Sequence, residues 1–210
     1  MPTSPRSPRV ENAERTRQAL VDAALQLFAV KGYDATSTEE IAQSAGVSPR
    51  TFFRYFPTKE TVLFFGEYDF IRSFAGVLLA QPIELPDLAA ASATLVVLAP
   101  GINRLRKRVN LYELAISSSI VLRGREHLNQ EQHVQSMAEA FSERRGLRQP
   151  DRACYLLGSL CHLVLRRSLE EWLKGAAGRE LGSVIAAEFE LLDSEFMSTS
   201  RTKSKSNLSR

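Results

Sequence analysis

The chain has 210 residues, of which 44% are hydrophobic and 24% are charged, and its formal net charge is +3. This composition is typical of a soluble globular protein. The small net charge excludes a histone-like polycation, so any surface that binds nucleic acid has to be local. No apolar run reaches the ~18–20 residues that a membrane helix needs, and the N-terminus lacks the apolar core of a signal peptide. We therefore predict a cytoplasmic protein with no membrane partner.

Both ends of the chain contain few residues that could be buried in a core. Residues 1–11 are rich in Pro, Ser and Arg, and residues 198–210 hold four cations and no acid. We predict a disordered arm over 1–11 and a disordered basic tail over 198–210. Between them the apolar spacing is helical, with no strand-like alternation of any length, which predicts an all-α protein.

The first predicted helix covers residues 12–31. Its apolar residues recur at offsets of three and four and form one stripe, and Gly32 follows at a position where helices often end. The stripe consists of Leu20, Ala23, Ala24, Leu27 and Phe28.

The segment 37–56 predicts a helix-turn-helix. Ser37 and Glu40 have the spacing of a capping box, which predicts a short helix over 38–45 that ends before Gly46. Ser48 can cap a second helix over 49–56, with Pro49 at the first helical position, where its missing N–H has no cost.

The second of these helices has one apolar and one cationic face. Phe52 and Phe56 are four residues apart and should be buried against the first helix, whereas Arg50 and Arg54 point away from them. From Ser48 to Lys59 there are three cations and no anion. A cationic face on a second helix favours DNA binding in the major groove, and the alternative is a three-helix subdomain with an inert solvated face.

The segment from Arg15 to Glu60 closely resembles the TetR family of regulators. The matching residues are Gly32-Tyr33, Thr36 to Thr38, Ile41-Ala42, Ala45 to Ser48, Thr51 to Pro57 and Lys59-Glu60. The resemblance covers about a quarter of the chain. It implies an Ω-shaped homodimer of about nine helices, with an N-terminal three-helix DNA-binding domain and a C-terminal helical domain that binds ligand and dimerises.

The resemblance to the TetR family implies roles in DNA binding for individual residues of this chain. The resemblance implies that Arg50 and Thr51 read bases, and that Thr38, Tyr55 and Lys59 anchor phosphates. Phe53 departs from the family pattern, which more often has a tyrosine there, so apolar contact with sugar or a thymine methyl would replace a phosphate bond. The full predicted set is Arg17, Thr38, Ser48, Pro49, Arg50, Thr51, Phe53, Arg54, Tyr55 and Lys59. For Arg17 a minor-groove or phosphate contact competes with simple solvation.

The rest of the chain predicts further helices and a second domain. We assign 12–60 to the DNA-binding domain and 61–197 to the ligand-binding and dimerisation domain, with the junction inside a long helix. The predicted helices cover 58–80, 87–99, 102–122, 125–145, 151–174 and 179–197. The last two have wide apolar faces, and the resemblance implies that they form a four-helix bundle across the dimer. An ordinary intramolecular core is the alternative.

Polar residues within apolar stretches are the sequence's clue to a ligand pocket. Tyr112, Arg123, His127 and His162 are candidates, although each could instead be a structural polar group. The basic run Arg104 to Arg108 is either a solvated helix end, a site for an acidic ligand or a second contact with DNA.

Metal and redox chemistry have little support. Cys154 and Cys161 are seven residues apart on one predicted helix, which is not a disulfide framework, and no Cys-x-x-Cys motif or His pair is present. We predict no metal and no cofactor.

The sequence thus predicts a transcriptional repressor that binds a near-palindromic operator as a homodimer and is released by a small molecule. An activator, or a regulator that responds to a partner protein, remains open. A helical enzyme is disfavoured, because no nucleophile grouping, carboxylate pair or phosphate-binding loop occurs.

Overall fold

The computed structural model describes residues 8–65, 67–176 and 178–197. These residues form nine α-helices and no β-strand, so the all-α prediction is confirmed. The helices are α1 (Pro8–Lys31), α2 (Thr38–Ser44), α3 (Pro49–Tyr55), α4 (Glu67–Leu79), α5 (Asp87–Asn103), α6 (Arg106–Ser118), α7 (Ile120–Arg144), α8 (Arg152–Lys174) and α9 (Leu181–Leu192). A 3₁₀ turn (Glu60–Val62) precedes α4, and a π-helical turn (Asp193–Met197) follows α9.

Helix α1 begins at Pro8, four residues before the predicted start, so the last part of the predicted arm is helical. Proline fits the first turn of a helix, because the N–H that it lacks would have no intrahelical partner there. Residues 1–7 and the predicted tail 198–210 lie outside the described residues.

The single helix predicted over 58–80 is wrong. The chain forms the 3₁₀ turn and then α4, and Val62, Leu63 and Phe64 are buried in one hydrophobic core cluster. Consecutive side chains of an α-helix differ in direction by about 100°, and the break at this point lets all three large side chains pack into this cluster.

The break predicted after residue 122 lies instead at Ser119, between α6 and α7. Ala115, Ile116 and Leu122 are buried in one cluster on either side of this break, and Gly124 remains inside α7. Helix α5 continues through Pro100 to Asn103, which is held at the start of α9 by a 3.0 Å hydrogen bond from the Leu181 N–H to Asn103 Oδ1.

The backbone divides into two compact units. The first comprises the described residues up to Tyr68 together with Lys107–Leu128, and the second comprises Asp69–Arg106 and the described residues from Asn129 onward. The functional division into 12–60 and 61–197 remains a prediction.

The first unit is built around one buried cluster. The predicted α1 stripe is buried, with Leu27 partly so, against Ile41 of α2 and Phe52 of α3. Phe28 and Tyr33 make an edge-to-face contact with ring centroids 5.3 Å apart. Gly32 has φ +86°, the left-handed conformation that ends α1, as the sequence predicts.

In the second unit, α5, α8 and α9 pack on one another. Helix α8 crosses α7 closely at Gly158, where an added Cβ would lie 2.7 Å from the Val134 carbonyl oxygen and 3.1 Å from the Ala138 nitrogen. The crossing therefore requires glycine, because backbone atoms cannot move aside as flexible side chains do.

Arg144, at the end of α7, fixes the segment between α4 and α5. Its side chain is 2% exposed, and its guanidinium donates to the carbonyl oxygens of Leu78, Gln81, Pro82 and Leu85 at 2.6–3.3 Å. These carbonyls belong to the last turn of α4 and the loop that follows it, where intrahelical donors are lacking.

No single helix among the described residues is long and apolar enough to cross a membrane, although one bent pair, α5 with α6, meets the criteria of length and composition.

We expect Gly158→Ala to lower the free energy of unfolding by about 1–3 kcal/mol, because overpacking at a tight crossing forces the backbones apart. Urea unfolding of the purified chain measures this change. Gly124→Ala is the matched control, since nothing lies within 4 Å of its Cβ position in α7. It should stabilise by up to about 1 kcal/mol through helix propensity. Equal effects of the two substitutions would contradict the tight crossing.

Candidate nucleic-acid interface

The two short helices α2 and α3 have the caps that the sequence predicts. The Glu40 N–H donates to Ser37 Oγ at 3.1 Å, and the Ser37 N–H donates to Glu40 Oε2 at 2.8 Å, which completes a capping box. At α3 the Thr51 N–H donates to Ser48 Oγ at 3.2 Å, and Pro49 is the first helical residue. Gly46, with φ +69°, makes the turn between the helices.

Aromatic packing orients α3. Phe52 and Phe56 are buried with ring centroids 5.9 Å apart, so the face that the sequence predicts to be internal is internal. Phe53 is 51% exposed and meets Phe52 edge-on at 5.4 Å. The opposite face of α3 is therefore the one that a second macromolecule can reach.

Arg50 and Arg54 lie on this exposed face. No hydrogen bond or ion pair with another described residue holds the Arg50 side chain, whereas the Arg54 guanidinium lies 5.1 Å from the Tyr55 ring centroid. The half-buried Thr51 shares a 3.0 Å hydrogen bond with Ser48 Oγ through its own hydroxyl. Arg50 is thus an unpaired cation at the N-terminal end of α3.

The ring of Tyr55 contacts two guanidinium groups. Arg17 of α1 lies 5.5 Å from its centroid and also 5.1 Å from that of Phe65, in addition to the Arg54 contact. Arg17 makes a 3.4 Å ion pair with Glu14 as well. These contacts bring Arg17 beside α3, which joins it spatially to the predicted DNA-binding residues.

Lys59 faces the turn after α1. Its ammonium donates to the carbonyl oxygens of Tyr33 and Thr36 at 2.7 and 2.8 Å and lies 4.0 Å from the Tyr33 ring centroid. Burial and the Glu60 carboxylate, which accepts the Tyr33 hydroxyl at 3.1 Å, raise the pKa of Tyr33 to about 12. The hydrogen bonds of the Lys59 ammonium to the two carbonyl oxygens give this residue a structural role in the first unit. Its predicted phosphate contact stays a prediction.

Helix α2 begins with a polar turn. Thr38, its first residue, donates to Glu39 Oε2 at 3.1 Å. The Lys31 ammonium hydrogen-bonds the Glu40 carboxylate, and this contact, with the N–H of Ser37, lowers the pKa of Glu40 to about 2. Glu40 is therefore ionised at neutral pH and links α1 to α2.

Cations of the basic run Arg104 to Arg108 make contacts within the fold. In the second unit Arg106 donates to the carbonyl oxygens of Leu173 and Gly175 at 3.2 and 2.9 Å and lies 4.6 Å from the Trp172 ring centroid. In the first unit Arg108 pairs with Asp22 at 3.1 Å.

The four ligand-pocket candidates are divided between the units. Tyr112 contacts Phe64 edge-on at 6.2 Å, Arg123 is exposed and donates to the Ser117 carbonyl oxygen at 2.7 Å, and His127 is exposed. All three belong to the first unit and His162 belongs to the second. Their role in ligand binding stays a prediction.

Sequence reasoning missed a neighbour of His162. His133 on α7 lies with its ring centroid 6.0 Å from that of His162, a pairing across two helices that no local motif signals. Cys154 and Cys161 are free and buried, and burial raises the pKa of the Cys161 thiol to about 12. The described residues contain no group of three or more His, Cys, Asp or Glu that could hold a metal.

Comparison with known proteins gives matches to the same segment. Residues 20–64 match the family model for bacterial regulatory proteins of the tetR family. The transcriptional regulator TcmR of Streptomyces glaucescens is 48% identical over 54 residues, which are 26% of this chain and 24% of that relative's length.

Solved structures match over most of the chain. Thermus thermophilus FadR, a TetR-family repressor in complex with lauroyl-CoA, aligns with a TM-score of 0.54 and 25% identity over 84% of this chain and 92% of its own. A TetR-family regulator from Mesorhizobium loti aligns with a TM-score of 0.53 and 26% identity over 87% of this chain and 96% of its own.

We expect Glu40→Gln to lower the free energy of unfolding at pH 7, because glutamine keeps the cap but loses the charge that pairs with Lys31. The folded-state pKa of Glu40 lies below its unfolded value, so its stabilisation is complete above pH 4.5 and is lost as the pH falls toward 2. The difference between the variant and the parent should therefore disappear over that range in pH-dependent urea unfolding. Glu39→Gln, at the neighbouring position outside the box, is the control. A difference that persisted at pH 2 would contradict this account.

Proposed function

Because the chain belongs to the TetR family of bacterial regulators, we propose that it represses transcription by binding a near-palindromic operator as a homodimer and is released by a small-molecule effector. The observation that carries the proposal is the outward face of α3, where Arg50 lies exposed at the end of a capped helix without a partner among the described residues. A helix presented in this way fits the major groove of B-DNA.

In this proposal Arg50 reads a base. Its guanidinium has five N–H donors, and a bidentate contact with guanine O6 and N7 is the commonest specific contact of this kind. Thr51 faces the same groove and offers its methyl group to a thymine, since its hydroxyl is bonded to Ser48. Phe53, half exposed beside them, packs on sugar or on a thymine methyl.

The residues around α3 anchor the backbone of the duplex. Thr38 lies at the start of α2, where unpaired N–H groups favour a phosphate. The guanidinium groups of Arg54 and Arg17 both lie close to the Tyr55 ring, so three polar groups are available together to contact one strand. Lys59 contributes its remaining N–H while it keeps its contacts with the α1–α2 turn.

The homodimer forms through α8 and α9. Each of these helices buries one face in the second unit and leaves leucines on another: Leu156 and Leu163, seven residues apart on α8, are 70% and 56% exposed, and Leu191 on α9 is 54% exposed. Apolar side chains at this spacing on a long helix fit a four-helix bundle with a second copy. Two copies would present two α3 helices to half-sites roughly 34–36 Å apart.

A molecule that carries a fatty-acyl chain is the effector in this proposal. The support is the likeness to FadR, whose structure contains lauroyl-CoA, at 25% identity over most of both chains. Long-chain acyl thioesters are therefore the first molecules to test for release of DNA.

We expect Arg50→Ala to weaken binding to the specific operator by about 1–3 kcal/mol while binding to unrelated duplex changes little, because a base contact is lost. The measurement is a gel-shift titration at physiological salt with the DNA immediately upstream of the gene. Arg123→Ala, an exposed arginine in the same unit but outside the helix-turn-helix, is the control. Unchanged operator affinity in the Arg50 variant would refute its role as a base reader, and no retardation of any duplex by the parent would refute the function.

We expect Leu156→Asp together with Leu163→Asp to give a monomer, because burying two carboxylates in an apolar interface is costly. Sedimentation equilibrium measures the mass, and operator affinity should fall with it because only one half-site is then engaged. Leu128→Asp, at an equally exposed leucine of α7, should leave the mass unchanged. A dimer that persists in the double variant would place the interface elsewhere.

A further inference from the structure

Two histidines meet where α7 crosses α8. The ring centroids of His133 and His162 are 6.0 Å apart and their planes are inclined by 51°. The Nε2 atom of His162 is excluded from solvent and has no hydrogen-bond partner among the described residues. A buried nitrogen without a partner is costly, so an unsatisfied atom of this kind calls for an explanation.

The backbones at this crossing are held close together. Gly158 lies one turn before His162 on α8, and its missing side chain lets α8 approach Val134, the residue that follows His133 on α7. The two imidazoles are therefore attached to a rigid junction rather than to mobile loops, as a preorganised binding site requires.

We propose that His133 and His162 form a two-histidine clamp for a borderline divalent transition-metal ion such as Zn²⁺ or Ni²⁺, with water completing the coordination. Imidazole nitrogen is a preferred ligand of these ions. An ion about 2.1 Å from both nitrogens holds the two ring centroids about 5 Å apart at a tetrahedral angle and about 6 Å apart at a wider one. The observed centroid separation of 6.0 Å lies within this range.

Arg166, one turn further along α8, places a positive charge nearby and opposes a cation. Its side chain is 32% exposed and pairs with Glu170 at 3.4 Å, and this carboxylate offsets part of the positive charge.

The experiment uses the full chain without an affinity tag, freed of metal by chelation, and titrates it with Ni²⁺ and Zn²⁺ by calorimetry at pH 7.5. We expect one ion per chain. His133→Gln and His162→Gln should each weaken binding at least tenfold, and Co²⁺ should give a visible d–d spectrum that both substitutions abolish. His127→Gln is the matched control, since His127 is the one other histidine in the sequence and is exposed.

Arg166→Gln tests the electrostatics of the same site. Removal of its charge should strengthen metal binding several-fold, an effect that general damage to α8 would not produce. Circular dichroism of each variant identifies any that fail to fold. The absence of saturable binding to the parent, or binding that survives in folded His133→Gln and His162→Gln proteins, would overturn the proposal.

Discussion

The fold depends on satisfying the main-chain groups at the ends of its helices. Each helix leaves four N–H groups at its start and four carbonyls at its end without intrahelical partners, and the nine helices of the described residues multiply this requirement. Local caps such as Ser48 meet part of it. The rest is met by long-range side chains: Arg144 for the end of α4, Arg106 for the end of α8, and Asn103 for the start of α9. These contacts fix the loops, and the loops fix the packing of the helices.

This division also explains how much of the fold could be predicted. Capping boxes and glycine turns depend on residues within a few positions of one another, so the starts of α2 and α3 could be predicted to within a residue. Arg144 and Lys59 resemble surface cations in the sequence, because their carbonyl partners are 59–66 and 23–26 residues away. The turn at Val62 was predicted as helix for the same reason: burial of three successive residues is a property of the tertiary structure.

The same contrast between local and long-range contacts applies to the candidate site. Helical periodicity was enough to orient α3, since Phe52 and Phe56 had to share a buried face. The contact of Arg17 with Tyr55 and the approach of His133 to His162 depend on how separate helices cross, and no spacing within one helix encodes either. The glycine that permits the second crossing, Gly158, looks in the sequence like any other small residue of a helix.

Unlike the cations around it, Arg50 makes no contact on which the described fold depends. Arg17, Arg54 and Lys59 each make contacts with aromatic rings or main-chain carbonyls of the first unit, so replacing them would disturb the fold along with any binding role. A change at Arg50 carries no such penalty. If Arg50 reads a base as proposed, substitutions at this position would change the DNA target of the chain's descendants while the scaffold stayed the same.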